Sequence, residues 1–171
     1  MIKSRLPLVL QCLVFLIPVN IYVIGDWLGT GVQWVFFRYQ QTYLGDSIIP
    51  VTHEITYILK GTISGRSGFS LGLWAVGALL FIIATFLVIL AYTDENFSLV
   101  KKASLVTMSG GILLAISVFI QYGILLNSQA GFVIPLGIPV ILVIGWWMHQ
   151  ENGEPDETGE DSVKEEPPAP E

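Results

Sequence analysis

A chain of 171 residues that is 53% hydrophobic and only 13% charged, with a mean hydropathy of +0.66, falls outside the range of ordinary soluble domains and inside that of membrane proteins. The net charge of −6 belongs to the C-terminus: nine of the fourteen acidic residues lie between Glu151 and Glu171 beside one base, Lys164, while the body before them carries seven bases and five acids. A single cysteine, Cys12, excludes an internal disulfide and a cysteine metal cluster. No nucleic-acid partner, cofactor or metal is expected.

Lys3 and Arg5 precede 20 residues without a charge, 6–25, which is long enough to span a bilayer. No small-x-small cleavage site closes the run, so it reads as an uncleaved anchor and first span, with Pro18 bending it. Residues 26–70 then form a long outer loop. Within it Val32, Phe36, Tyr39 and Tyr43 recur at helical intervals and predict an aromatic helix over about 27–43 lying on the membrane surface, a strand through 35–37 being the alternative. Asp46 or Ser47 as N-cap and Pro50 in the first turn, with Ile48, Val51, Ile55 and Ile58 on one face, predict an amphipathic helix over 48–60 ending at Gly61. The stretch from Gly61 to Gly68 reads as a hinge.

Between Arg66 and Asp94 lie 27 residues without charge, and between Lys102 and Glu151 another 48, broken by Asn127, Ser128 and Gln129. One helix of that second length would run roughly 70 Å against a hydrocarbon core of about 30 Å, so it divides in two. The predicted spans are therefore 6–25, 71–92, 103–126 and 131–148. The expected fold class is an all-α membrane protein: four transmembrane helices with short interfacial helices in the outer loop, a transmembrane domain over 1–150 and a disordered, acidic cytoplasmic tail over 151–171. Lys3, Arg5, Lys101 and Lys102 lie in short segments and Arg38, Lys60 and Arg66 in the long loop, which places both termini of this multi-pass cell-membrane protein in the cytoplasm.

Ala103, Thr107, Gly111 and Ala115 recur every four residues and predict a seam of small residues for close helix packing, by default against the fourth span. That fourth span carries Pro135, Gly137 and Pro139 and is expected to kink. Gln121 and Asn20 are candidates for polar contacts between helices. None of the predicted spans carries Asp, Glu, Lys, Arg or His, which argues against a proton-coupled pump.

The candidate outer-loop site is Asp26, Arg38, Asp46, His53 and Glu54. His53 and Glu54 are adjacent, but a helical zinc site needs histidines at i and i+4, and position 57 is Tyr57. The pair therefore reads as solvated or interfacial, and no catalytic residue is assigned. If Asp26, Asp46, His53 and Glu54 instead converge on a cavity, an enzyme reading moves to the front.

An N-terminal span, an aromatic outer loop and three further spans, the last with Ile134-Pro135-Leu136-Gly137 followed by Trp146-Trp147, together resemble small uncharacterised membrane proteins of archaea. That resemblance implies a prokaryotic plasma membrane and no activity. The layout is also similar to that of claudins, but the paired loop cysteines of that family are absent. The expected function is a non-catalytic accessory or scaffold subunit, with the lipid bilayer and a membrane-protein partner or a second copy as its contacts. The alternatives are a small pore or lipid- or solute-binding protein formed by oligomerisation, and an enzyme with its site in the outer loop.

Overall fold

The computed structural model describes residues 5–25, 28–129 and 131–151. Asp26, Trp27 and nearly all of the acidic tail lie outside them, as does the expectation that the tail is disordered. In chain order the elements are α1 (Leu6–Leu16), β1 (Asn20–Ile24), β2 (Gly29–Gln33), β3 (Phe37–Thr42), β4 (Gly45–Pro50), α2 (Val51–Leu59), α3 (Gly65–Thr93), α4 (Phe97–Tyr122), β5 (Asn127–Ser128), β6 (Gly131–Ile134) and α5 (Gly137–Glu151). The six strands form one antiparallel sheet in the order β4-β3-β2-β1-β6-β5.

The sheet overturns the all-α, four-span expectation. The first predicted span stops as a helix at Leu16: Pro18 disfavours helical geometry in the residue before it, and Ile17 is extended at φ −74°, ψ 125°. The following Val19 to Ile24 then enters the sheet as β1, which a β-branched run does readily. The fourth predicted span divides in the same way. Its first residues, Gly131–Ile134, pair with β1 as β6, and the helix begins only at Gly137 after Pro135. At about 1.5 Å per residue, α1 with 11 residues and α5 with 15 are shorter than a hydrocarbon core of about 30 Å. Among the described residues, two helices are long and apolar enough to cross a membrane, α3 and residues 98–122 of α4.

Of the two helices predicted in the outer loop, the first is replaced by strands and the second is present but shorter. Residues 29–42 of the 27–43 segment form the β2–β3 hairpin, Trp27 lying outside the described residues, and the 35–37 alternative falls mostly on the hairpin's turn, with Phe37 opening β3. That turn anchors the sheet to the helices: Val35 is buried, its carbonyl accepts from the Trp74 indole at 3.0 Å, Trp34 Nε1 donates to the Leu16 carbonyl at 3.2 Å, and Phe36 stacks on Phe15. The 48–60 helix begins at Val51, and the residues proposed as its cap, Asp46 and Ser47, pair with β3 instead. Pro50 closes the strand and serves as the N-cap position.

Helix α3 buries one stripe, including Trp74, Ala78, Phe81, Ala84, Val88 and Ala91 at helical spacing, and turns Leu79, Ile82, Phe86 and Ile89 outward. It packs on α4 through small residues: a methyl group on Gly77 would meet Leu114 at 3.0 Å, and one on Gly110 would meet Phe81 at 3.0 Å. The interior also carries polar joints. Thr107 donates to Gln11 Oε1 at 2.8 Å, Gln11 reaches Thr85 at 3.4 Å, and Ser104 shares a hydrogen bond with His149 Nδ1 at 3.2 Å.

Of the seam residues, Ala103, Thr107 and Gly111 are buried and Ala115 is half-buried. A methyl group on Gly111 would meet Leu142 at 3.0 Å and Ile141 at 3.3 Å, so this position faces α5. Replacing Gly111 by leucine is expected to push α5 away and to lower the folded yield several-fold, while leucine at the outward Ile112 is tolerated. Size-exclusion recovery of the two variants from the same expression level compares them directly, and equal recovery would remove the seam.

A candidate ligand-binding cavity

Strand register builds a polar row on the inward face of the sheet. Asn20 in β1 is paired with Gln33 in β2, and Gln33 with Arg38 in β3, so three polar side chains from three strands stand side by side. Tyr22, two residues beyond Asn20, is buried on the same face, where its ring lies across Gly31. Any side chain at Gly31 would collide with that ring, a methyl group already coming within 2.4 Å.

Opposite the row stand the start of α3 and the end of α4, tied by reciprocal bonds. Ser70 Oγ donates to the Ser117 carbonyl at 2.9 Å, Ser117 Oγ donates to the Ser70 carbonyl at 2.8 Å, and Gln121 Nε2 donates to Ser67 Oγ at 3.3 Å. Arg66 Nε donates to the Ile120 carbonyl, placing a cation at a helix C-terminus, where the backbone dipole favours it. Between the sheet and these helix ends lies a cavity of about 510 Å³, lined by Asn20, Gln33 and Arg38 on one side and by Ser67, Ser70, Ser117, Gln121 and Tyr122 on the other. Leu71, Trp74 and Val118 supply its apolar wall.

The half-buried Arg38 and the buried Glu54 form an ion pair beside the cavity, with Nε 3.0 Å from Oε1. The two atoms meet by distance without the alignment of a hydrogen bond. Glu54 is the buried residue of α2, and its carboxylate ties that helix to β3. Burial pushes the Glu54 carboxyl above its usual range, and the Arg38 guanidinium opposes that shift without cancelling it. The Tyr22 hydroxyl is pushed up to about 12 by burial, with Arg38 lowering it and Tyr122 and Glu54 raising it.

The structure brings together two of the five candidate site residues, Arg38 and Glu54. Asp46 accepts a hydrogen bond from the Tyr39 hydroxyl at 2.8 Å on the exposed side of the β3–β4 hairpin, His53 is exposed on α2, and Asp26 lies outside the described residues. No cluster of three or more metal-ligating side chains occurs among the described residues. Gln33, Ser70 and Ser117 were not singled out in the sequence. Asn20 and Gln121 were, as contacts between helices: Gln121 is one, donating from α4 to Ser67 of α3, whereas Asn20 lies in β1, and both line the cavity between sheet and helices. The sequence does carry a signal for Asn20: Asn20 and Tyr22 alternate with Ile21 and Val23, a strand period inside an otherwise apolar run.

Carbonyl or hydroxyl groups at this site remain without partners. Asn20 Oδ1, Gln121 Oε1 and the Tyr22 hydroxyl are buried with no hydrogen-bond partner among the described residues, and Asn20 as a whole is 1% exposed. The chain matches no protein-family model and no curated protein sequence.

Proposed function

We propose that this is a non-enzymatic membrane protein that holds a small polar ligand between its sheet and the adjoining ends of α3 and α4. The cavity carries the reading. Burying an unpartnered amide or hydroxyl costs about 1–3 kcal/mol, and two residues of the lining, Asn20 and Gln121, each carry a buried amide oxygen that lacks a partner among the described residues, a cost that a polar occupant of the cavity would offset. The volume lies in the range of about 300–1,000 Å³ typical of small-molecule sites.

Membrane embedding is supported by the way the long helices distribute their side chains. A core helix of a soluble protein is mostly buried, whereas 33% and 44% of the most apolar windows of α3 and α4 are buried here, and the outward residues are Leu, Ile, Val and Phe. Lys101 and Lys102 open α4 at the end away from the sheet, so the positive-inside rule puts the sheet and its cavity outside the cell. With Cys12 replaced by alanine, a Ser64→Cys variant is expected to react with a membrane-impermeant maleimide on intact cells, and a Ser98→Cys variant only after lysis. The reverse pattern would turn the protein over.

Binding is tested with the Ser67→Cys variant in the same background, whose thiol faces the cavity. In nanodiscs, some member of a panel of small polyols, amines and anions is expected to slow its alkylation. If none does so at any concentration, the cavity holds only water and the binding role is lost.

A second reading, an accessory subunit in a larger assembly, is favoured by the open edge of β4, where Ile48 is 68% exposed beside the hairpin tip residue Leu44 at 83%. Recovery of nothing but free monomer from mildly solubilised native membranes would count against it.

A further inference from the structure

We infer that the ligand is an uncharged polyhydroxyl group, such as a sugar ring, an inference that rests on the binding role of the cavity and narrows it to one chemical class. Two properties of the walls select that class. The first is charge. Arg38 is the ionisable cation on the lining, and it is already matched by Glu54 at 3.0 Å, so the site offers no uncompensated charge to an anion or a cation.

The second property is the kind of hydrogen bonding left undone. Asn20 Oδ1 and Gln121 Oε1, on two residues of the lining, are acceptors without a partner among the described residues, and a donor is what they lack. A phosphate dianion or a carboxylate has none to give. An ammonium donates, but it would stand beside Arg38 and could not accept from the Gln33 amide. A hydroxyl does both. This conclusion also survives a 180° rotation of either amide, because interchanging its oxygen and nitrogen turns a missing donor into a missing acceptor, and a hydroxyl supplies either.

The apolar wall of Leu71, Trp74 and Val118 then suits the C–H face of a ring whose hydroxyls point to the opposite side. The same chemistry is offered by a free sugar and by the glycosyl headgroup of a lipid. The second source has direct access if the start of α3 and the end of α4 lie at a membrane surface.

The test uses the full chain with Cys12→Ala and Ser67→Cys in nanodiscs, and reads the alkylation rate of the introduced thiol. One arm adds free glucose or myo-inositol to phosphatidylcholine discs, another replaces part of the phosphatidylcholine with glucosyl-diacylglycerol, and two controls add inorganic phosphate or ethylammonium. Slowing by the sugar or the glycolipid, with neither control effective, is the expected result, and the arm that responds identifies the source. Asn20→Leu and Gln121→Leu, on opposite walls, should each raise the half-protecting concentration about tenfold, as loss of one neutral hydrogen bond implies. If either variant fails to fold, protection in the parent protein still decides. Protection by phosphate or ethylammonium alone would overturn the polyhydroxyl class while leaving a ligand-binding cavity; no protection by any compound would remove both.

Discussion

Replacing Arg38 by methionine is expected to destabilise the folded protein by about 3–5 kcal/mol at pH 7, the usual cost of removing one partner from a buried ion pair. Glu54 is 3% exposed and has Arg38 as its ion-pair partner, so the variant leaves a carboxylate in an apolar setting. Methionine keeps most of the volume of the arginine stem, which confines the loss chiefly to charge. The double variant Arg38→Met, Glu54→Leu should recover much of the stability, because the remaining charge is then gone. Denaturant unfolding in detergent, followed by near-ultraviolet circular dichroism, measures all three proteins. Additive losses in the double variant would show that the pair is not coupled.

The same carboxyl gives the prediction a pH dependence. The Glu54 pKa is raised in the folded protein above its ordinary value of 4.5, so between those two values the folded state holds more protons than the unfolded state. Stability from this group is therefore fully present below about pH 4.5 and falls as the pH rises through the raised value. Removing Arg38 removes the influence that lowers this pKa, so the deficit of the Arg38→Met protein should shrink on acidification toward pH 4.5 as Glu54 takes up a proton. A Glu54→Gln variant should lose that slope.

The two long helices were legible because length alone decides them. A run of 27 uncharged residues bounded by Arg66 and Asp94 is too long for a strand, and the predicted 71–92 lies within Gly65–Thr93. The strands were hidden where hydropathy was used without period. Residues 17–24 and 131–134 are as apolar as the helices they adjoin, and a short apolar run does not distinguish a helix end from a buried strand. The Pro18 and Pro135 signals marked both boundaries and were read as kinks. In the outer loop, Val32 and Tyr39 do share a face, but as cross-strand partners in a hairpin and not as neighbours on a helix. The cavity was out of reach for a related reason. Asn20, Gln33 and Arg38 lie on three different strands and become a row only through register, and Gln121 joins the same lining from α4.

Gly131→Ala is expected to have the largest effect of any single methyl group added to the protein. Gly131 has φ +119°, a conformation that L side chains rarely adopt, and backbone strain of this sort costs about 1–3 kcal/mol. A methyl group would also stand 1.9 Å from the Val23 carbonyl oxygen and 2.9 Å from the Gly25 nitrogen. Those are backbone atoms of and just beyond β1, so relief requires β6 to separate from β1. Gly45→Ala supplies the control: its φ is +117°, nearly the same, and a methyl group there meets nothing within 4 Å. The control therefore loses stability through strain alone, and the excess loss in Gly131→Ala reports the collision. Because β1 carries Asn20, loosening β6 should also weaken ligand protection of the Ser67→Cys thiol, which Gly45→Ala should leave unchanged. Equal unfolding midpoints for the two alanine variants would mean that the β1–β6 pairing contributes little to the sheet.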